Sequence, residues 1–308
     1  MSRPPTFTPP PCARARALRT PRGDFAALDA VPRTDPRGTV LLLPGYTGSK
    51  EDFVALLEPL TAAGFRAVAV DGRGQYESRG TGRQEDYAQG ELARDVLAQA
   101  MALDAGDGTP THLLGHSLGG QIARAAVLLD AAPFRSLTLM SSGPAEVSAG
   151  QRDKVKLLGD ALAALTMDQV WDAMRALDPP EDAATGGGED LRRRWLRNDP
   201  AQLIATGRQL SVEPDRVDEL AATGLPVHVV SGERDDVWPV GLLTAMAGRL
   251  GALRTTVAGA EHSPNTARPE ETAAALVAFW ESLRPSPKSA GPGASRASQD
   301  GRDCRHTA

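Results

Sequence analysis

"THLLGHSLGGQIARAAV" occupies Thr111–Val127. An apolar stretch leads into a serine fenced by glycines, and an alanine-rich stretch follows. "THLLG" reads as a buried strand, and "GGQIARAAVLLDA" as a helix. Ser117 therefore stands where strand must become helix. A tight turn there strains the backbone of its central residue. Neighbours two positions away must be small so that strand and helix can pass close by. Gly115, Gly119 and Gly120 meet that demand. The turn lifts the Ser117 hydroxyl over the C-terminal edge of a sheet, where open α/β folds place their sites. The start of the helix offers unpaired backbone N–H groups to a developing anion.

Working outward, "TVLLLPG" and "FRAVAVD" are short apolar runs that suit buried strands. Between them "KEDFVALLEPLTAAG" has helical spacing and ends on Gly64, a C-cap. Residues 86–103 read as a helix. Upstream, "ARARALRT" and "DFAALDA" flank "PRG" and read as an antiparallel hairpin. Beyond the serine helix, "RSLTLMSS" is a strand. This alternation predicts a mostly parallel sheet with helices on both faces. It breaks at about residue 143. From there "RDKVKLLGDALAAL", "MDQVWDAMRAL" and "GEDLRRRWLR" are helical, with "DPPEDAATGGG" as the loop between the last two. "LPVHVVSG" resumes the strand pattern. "GLLTAMAGRLG" is a helix, "LRTTVAGA" the last strand and "PEETAAALVAFWESL" the last helix. The expected organisation is a disordered proline-rich segment at 1–11, an α/β body at 12–142, a helical cap at 143–220, the rest of the body at 221–284 and a disordered tail at 285–308.

Composition excludes several classes. Of 308 residues, 41% are hydrophobic and 24% charged, as in ordinary soluble globular proteins. Only 4% are aromatic, so the core must be built mainly from Ala, Val and Leu. A formal net charge of -5 leaves no basic excess to neutralise phosphates, which argues against nucleic acid as a partner. Cys12 and Cys304 lie near opposite ends and in no ligand-like spacing. That argues against zinc and against a disulfide framework, and fits a reducing compartment. The N-terminus lacks the apolar core of a signal peptide, and no run approaches the roughly 18 apolar residues of a membrane span. The expectation is a soluble cytoplasmic protein.

A serine hydroxyl is a weak nucleophile until a base takes its proton. Of the five histidines, His112 and His228 fall inside predicted strands. His116 adjoins the serine but should point away from it, as a packing residue, and His306 lies in the tail. His262, in "GAEHSPN", follows the last strand and stands well downstream of the serine. A base needs an acid to fix its tautomer, and "VVSGERDDVWP" offers Glu233, Asp235 and Asp236 just after a strand. For a tetrahedral oxyanion, two backbone donors suggest themselves. They are the N–H of Leu118 and, from the loop "LLLPGYTGSKEDF", the N–H of Tyr46.

With these residues in place, the chain resembles the α/β-hydrolase superfamily over roughly residues 12–284. "GHSLGG" is similar to its nucleophile elbow. "LLPGYTGS" stands in place of its oxyanion loop, often H-G-x-x-G-S, with Pro44 for the histidine. "VDGRGQYES" resembles its D-x-R-G-x-G-x-S loop, with Tyr76 for the second glycine and hence a loop of different shape. "GERDDVWP" is similar to its G-x-x-D-x-x-x-P acid loop, a register that selects Asp235, with Asp236 as the runner-up. "AGAEHSPNTARPEET" resembles its histidine segment, with Glu261 where glycine is usual.

The resemblance implies a serine hydrolase, most simply a carboxylesterase on small or medium acyl esters. Ser117, His262 and Asp235 would act as the triad, Tyr46 and Leu118 as the oxyanion hole, and no metal or organic cofactor would be needed. Trp171, Met174, Trp195 and Leu203 are candidates to line the pocket from the cap, or simply to pack within it. The same triad would serve a C–C bond hydrolase, a thioesterase or a perhydrolase. A lipase is less attractive because "LRRRWLR" is charged. A non-catalytic small-molecule-binding protein on this fold is the reading from a different class.

Overall fold

The computed structural model describes residues 2–104, 111–177 and 188–283. Residues 178–187 of the loop read as "DPPEDAATGGG", His306 and the tail at 285–308 lie outside the described residues. The strands are β1 (Ala13–Thr20), β2 (Gly23–Ala30), β3 (Thr39–Leu43), β4 (Arg66–Val70), β5 (Thr111–His116), β6 (Phe134–Met140), β7 (Val227–Gly232) and β8 (Leu253–Val257). They form one sheet in the order β1-β2-β4-β3-β5-β6-β7-β8. β1 and β2 form the antiparallel hairpin, and β2 meets β4 antiparallel. From β4 to β8 every pairing is parallel.

The apolar runs become strands because both faces of the sheet are covered. In β3, Leu41 and Leu43 pack on one side, while Val40 and Leu42 pack on the other. The first side is closed by α2 (Gln89–Leu103), α3 (Leu118–Leu129), α8 (Val217–Ala222) and α9 (Val240–Leu250). The second is closed by α1 (Val54–Ala62) and by α11 (Pro269–Ser282), which follows the one-turn α10 (Pro264–Ala267). Each leucine fully buried in this way contributes about 2 kcal/mol relative to exposure. The helix read at 86–103 is broken in two. A 3₁₀ turn spans Gln84–Tyr87, and α2 begins after Ala88, whose ψ of 141° is not helical.

Between β6 and β7 the chain forms α4 (Ala149–Ala164), α5 (Met167–Leu177), α6 (Gly188–Arg197) and α7 (Pro200–Val212). A separate apolar cluster holds these helices together. Both ends of the insertion are tied to α3 by one buried side chain. Arg124 donates to the Pro144 carbonyl at 2.6 Å, where the chain leaves β6, and to Glu213 Oε1 at 2.6 Å, where it leaves α7. Gln89 donates to the other Glu213 oxygen at 2.8 Å, so the buried carboxylate is satisfied on both sides. Residues 2–11 form no helix or strand. Phe7 packs on the helical cluster, and the Ser2 hydroxyl donates to Asp52 Oδ2 at 2.6 Å.

Three histidines are locked inside the body. His112 shares a hydrogen bond of 2.8 Å with Ser136 Oγ and stacks on Trp280; His228 shares one of 2.8 Å with Thr255 Oγ1. Burial pushes their pKa values down to about 3 and about 4, and that of fully buried His116 down to about 4. Their pKa values in the unfolded chain are about 6.5. As pH falls below that value, the unfolded chain binds protons that the native protein refuses, so stability falls with pH until the folded pKa values are reached. With three such groups the slope reaches up to about 4 kcal/mol per pH unit between roughly pH 6 and 4. Urea midpoints measured from pH 7 to 4.5 should show this decline. A flat profile between pH 6.5 and 5 would mean that the three rings are charged in the fold.

Candidate active site

Ser117 stands between β5 and α3, at the helix N-cap, with φ 54° and ψ −120°, a conformation that disfavours any residue but glycine. The surrounding sequence forces this turn. A Cβ at Gly115 would lie 2.2 Å from the Gly119 carbonyl oxygen, and one at Gly119 would lie 2.5 Å from the Leu43 and Pro44 oxygens. Backbone occupies both places, so no rotamer change could make room. The Ser117 N–H is held by the Met140 carbonyl at 2.9 Å, which fixes the turn to β6.

The loops after β7 and β8 bring two further groups to this point. His262 Nε2 lies 3.1 Å from Ser117 Oγ. His262 Nδ1 lies 3.0 Å from each carboxylate oxygen of Asp235. A carboxylate can only accept, so Nδ1 carries the proton and Nε2 is left as the acceptor facing the serine. The Asp235 side chain is fully buried, and its Oδ1 also accepts from the N–H groups of Val237 at 2.8 Å and Trp238 at 3.1 Å. The other two acids of this loop point elsewhere. Asp236 is exposed and accepts from Gln151 at 2.9 Å, and Glu233 accepts from the Gly259 N–H at 2.8 Å.

The loop after β3 passes directly beside Ser117, since a Cβ on Gly45 would lie 3.2 Å from Ser117 Cβ. The Gly45 carbonyl accepts from Gln75 Nε2 at 2.9 Å and from the Gly48 N–H at 3.2 Å. In a trans peptide the C=O and the next N–H point in opposite directions. Those two bonds therefore aim the Tyr46 N–H away from Gln75. Leu118 is the first residue of α3, where the helix leaves its leading N–H groups unpaired. Gln75 belongs to the loop after β4, whose departure from the family pattern is visible. Tyr76 has φ 39°, and its N–H is held by Asn198 Oδ1 at 3.2 Å while its ring lies under Lys50 Nζ at 4.7 Å.

The residues read as pocket-lining candidates sit inside the helical cluster of the insertion. Trp195 is fully buried and donates its indole N–H to the Met167 carbonyl at 2.7 Å. Trp171 and Leu203 are buried beside it, and Met174 packs against them. Among the described residues, no three His, Cys, Asp or Glu side chains gather as metal ligands would, and no helix is long and apolar enough to cross a membrane.

Two supporting residues went unrecognised in the sequence. His116 Nε2 donates to the main-chain carbonyl of His262 at 2.9 Å, so the ring read as packing holds the backbone of His262. Trp238 donates to the carbonyls of Ala145 at 3.1 Å and Glu146 at 3.2 Å, and its ring lies 6.3 Å from that of His262. The only sequence signals were their positions, next to the serine and within the acid loop.

The family model described as the alpha/beta hydrolase family matches residues 40–275. The chain belongs to this family. Among curated relatives, it is 30% identical over 220 residues to the 2-hydroxy-6-oxononadienedioate/2-hydroxy-6-oxononatrienedioate hydrolase of Paraburkholderia xenovorans, covering 66% of this chain and 72% of that one. It is 29% identical over 216 residues to the monoacylglycerol lipase of Mycolicibacterium smegmatis, covering 68% and 74%. A match of 36% identity to a third curated protein extends over 108 residues, 37% of that protein's length. Among solved structures, a thermophilic esterase from Thermogutta terrifontis superposes with a TM-score of 0.70 at 20% identity, covering 88% of this chain and 99% of that one. The enol-lactonase of Burkholderia xenovorans superposes with a TM-score of 0.71 at 16% identity, covering 86% and 100%. The alpha/beta hydrolase family and its hydrolase fold are thus shared with proteins named for different substrates.

Proposed function

We propose that the protein is a serine hydrolase that cleaves carboxylic esters of small or medium acyl chains. The observation that carries this reading is the continuous chain Ser117 Oγ, His262, Asp235 with links of 3.1 and 3.0 Å. Ser117 attacks the ester carbonyl while His262 Nε2 takes its proton. The tetrahedral oxyanion is held by the N–H groups of Tyr46 and Leu118. The alcohol leaves with the proton from His262, and the acyl group stays on Ser117. Water, deprotonated by His262, then attacks the acyl-enzyme and releases the carboxylic acid. Asp235 keeps the proton on Nδ1 and stabilises the imidazolium in both halves. The insertion α4–α7 serves as the cap over this site and sets the substrate's size.

A C–C bond hydrolase acting on an oxo-dienoic acid is the second reading, favoured by the 30% identity to a 2-hydroxy-6-oxononadienedioate/2-hydroxy-6-oxononatrienedioate hydrolase. Both readings use the same triad and part at the substrate. The deciding experiment is a panel of p-nitrophenyl esters from acetyl to dodecanoyl, run beside a vinylogous 1,5-diketone acid. A maximum at one acyl length supports the esterase. Turnover of the diketone alone supports the second reading. If neither is turned over and a fluorophosphonate leaves Ser117 unlabelled in folded protein, both fail, in favour of a binding protein.

A further inference from the structure

Tyr46 joins the loop beside the nucleophile to the helical insertion. Its hydroxyl donates to the Leu203 carbonyl at 2.7 Å, across 157 residues of sequence. That carbonyl belongs to α7, where helix geometry also directs the N–H of residue 207 at it. Residue 207 is glycine. A Cβ there would lie 2.6 Å from the Tyr46 hydroxyl oxygen, 3.2 Å from the ring carbon that bears it and 2.9 Å from Val155 Cγ1 of α4. Gly207 thus leaves a notch that the phenol fills. Burial pushes the phenol pKa well above its ordinary range, so the hydroxyl stays protonated and stays a donor.

The same residue bears the N–H proposed for the oxyanion hole. Its peptide is gripped from the body side, where Gln75 and Gly48 hold the Gly45 carbonyl. The phenol grips it from the insertion side. We propose that the Tyr46 side chain is a positioning residue that couples the insertion to the oxyanion hole, so that the backbone donor is correctly set only while α7 is seated. This inference rests on the serine-hydrolase reading. Its consequence is that a substrate which seats α7 completes the hole that hydrolyses it, and one which leaves α7 displaced meets a weakened hole.

Tyr46→Phe tests this, because it keeps the ring and its packing and removes one hydrogen bond. We expect kcat on the preferred ester to fall about tenfold with KM within about twofold. The affinity of a trifluoromethyl ketone, which adds to the serine as a tetrahedral oxyanion, should weaken by the same factor. Gly207→Ala should act in the same direction, and the double variant should be no worse than the worse single, since both break one contact. A contact that only braces the fold would lower the melting temperature and leave the ketone affinity unchanged. That result would overturn the proposal, as would a loss confined to KM. If the wild type neither hydrolyses esters nor binds the ketone, the parent reading has failed instead. Hydrogen exchange then still decides the coupling: peptides covering 43–49 and 200–212 should lose protection together in Tyr46→Phe, and unchanged exchange in either would overturn it.

Discussion

Ser117→Ala should lower kcat on the preferred ester by on the order of a million-fold while the protein stays folded. The size of the loss follows from the proposed mechanism, in which the three groups act as a unit. Without the hydroxyl there is no acyl-enzyme, and His262 and Asp235 have nothing to activate. What remains is binding and the oxyanion hole acting on an ordinary water, which is worth a residual thousand-fold or so over solution. For the same reason His262→Ala should cost about as much as Ser117→Ala, and the double variant should be no worse than either. The elbow adds a second expectation of opposite sign for stability. Ser117 holds φ 54° and ψ −120°, where only glycine is at ease. Strain of this kind costs on the order of 1–3 kcal/mol. Ser117→Gly should therefore melt a few degrees above the wild type while being as inactive as Ser117→Ala. Steady-state kinetics with single-turnover controls and calorimetry measure both. Retention of more than about a hundredth of the activity in Ser117→Ala would remove the serine from the nucleophile's role.

How much of this was legible in the sequence depends on the range of the physics involved. The turn at Ser117 is a local steric problem. Gly115 and Gly119 are required by backbone atoms within a few residues or on the neighbouring strand, so the demand is written in consecutive letters. The parallel sheet is legible for a related reason, since a strand buried on both faces is a short apolar run with helices on either side. The helical insertion is a different matter. An apolar stripe says that Trp171 and Trp195 are buried, but not against what, and the structure puts them among their own helices. Partners far apart in sequence leave no trace in either segment. His116 meets the His262 carbonyl across 146 residues, and Arg124 meets Glu213 across 89. Nothing in "GHSLGG" announces that its histidine holds the backbone of His262, because a packing role and a positioning role require the same buried ring.

The adjacent acids of "ERDDVWP" give the sharpest test of the remaining assignment. Asp235→Asn should lower kcat by on the order of ten-thousand-fold, and Asp236→Asn by no more than about twofold. Register alone could only rank the two, whereas their surroundings separate them. The Asp235 side chain is fully buried, faces His262 Nδ1 with both oxygens and is fixed by two backbone N–H groups. An asparagine there keeps the shape but brings an amide that can donate to Nδ1. That stabilises the tautomer with its proton on Nε2, which cannot accept from the serine. The exposed carboxylate of Asp236 only accepts from Gln151 at the start of α4, and water replaces that bond at little cost. Fluorophosphonate labelling of Ser117 should slow in parallel with kcat in Asp235→Asn, because both reactions need the same activated hydroxyl. A large loss in Asp236→Asn with Asp235→Asn near wild type would move the acid by one residue. Comparable losses in both would show that the loop's conformation, rather than one carboxylate, sustains the base, since only Asp235 has a line of hydrogen bonds to Ser117.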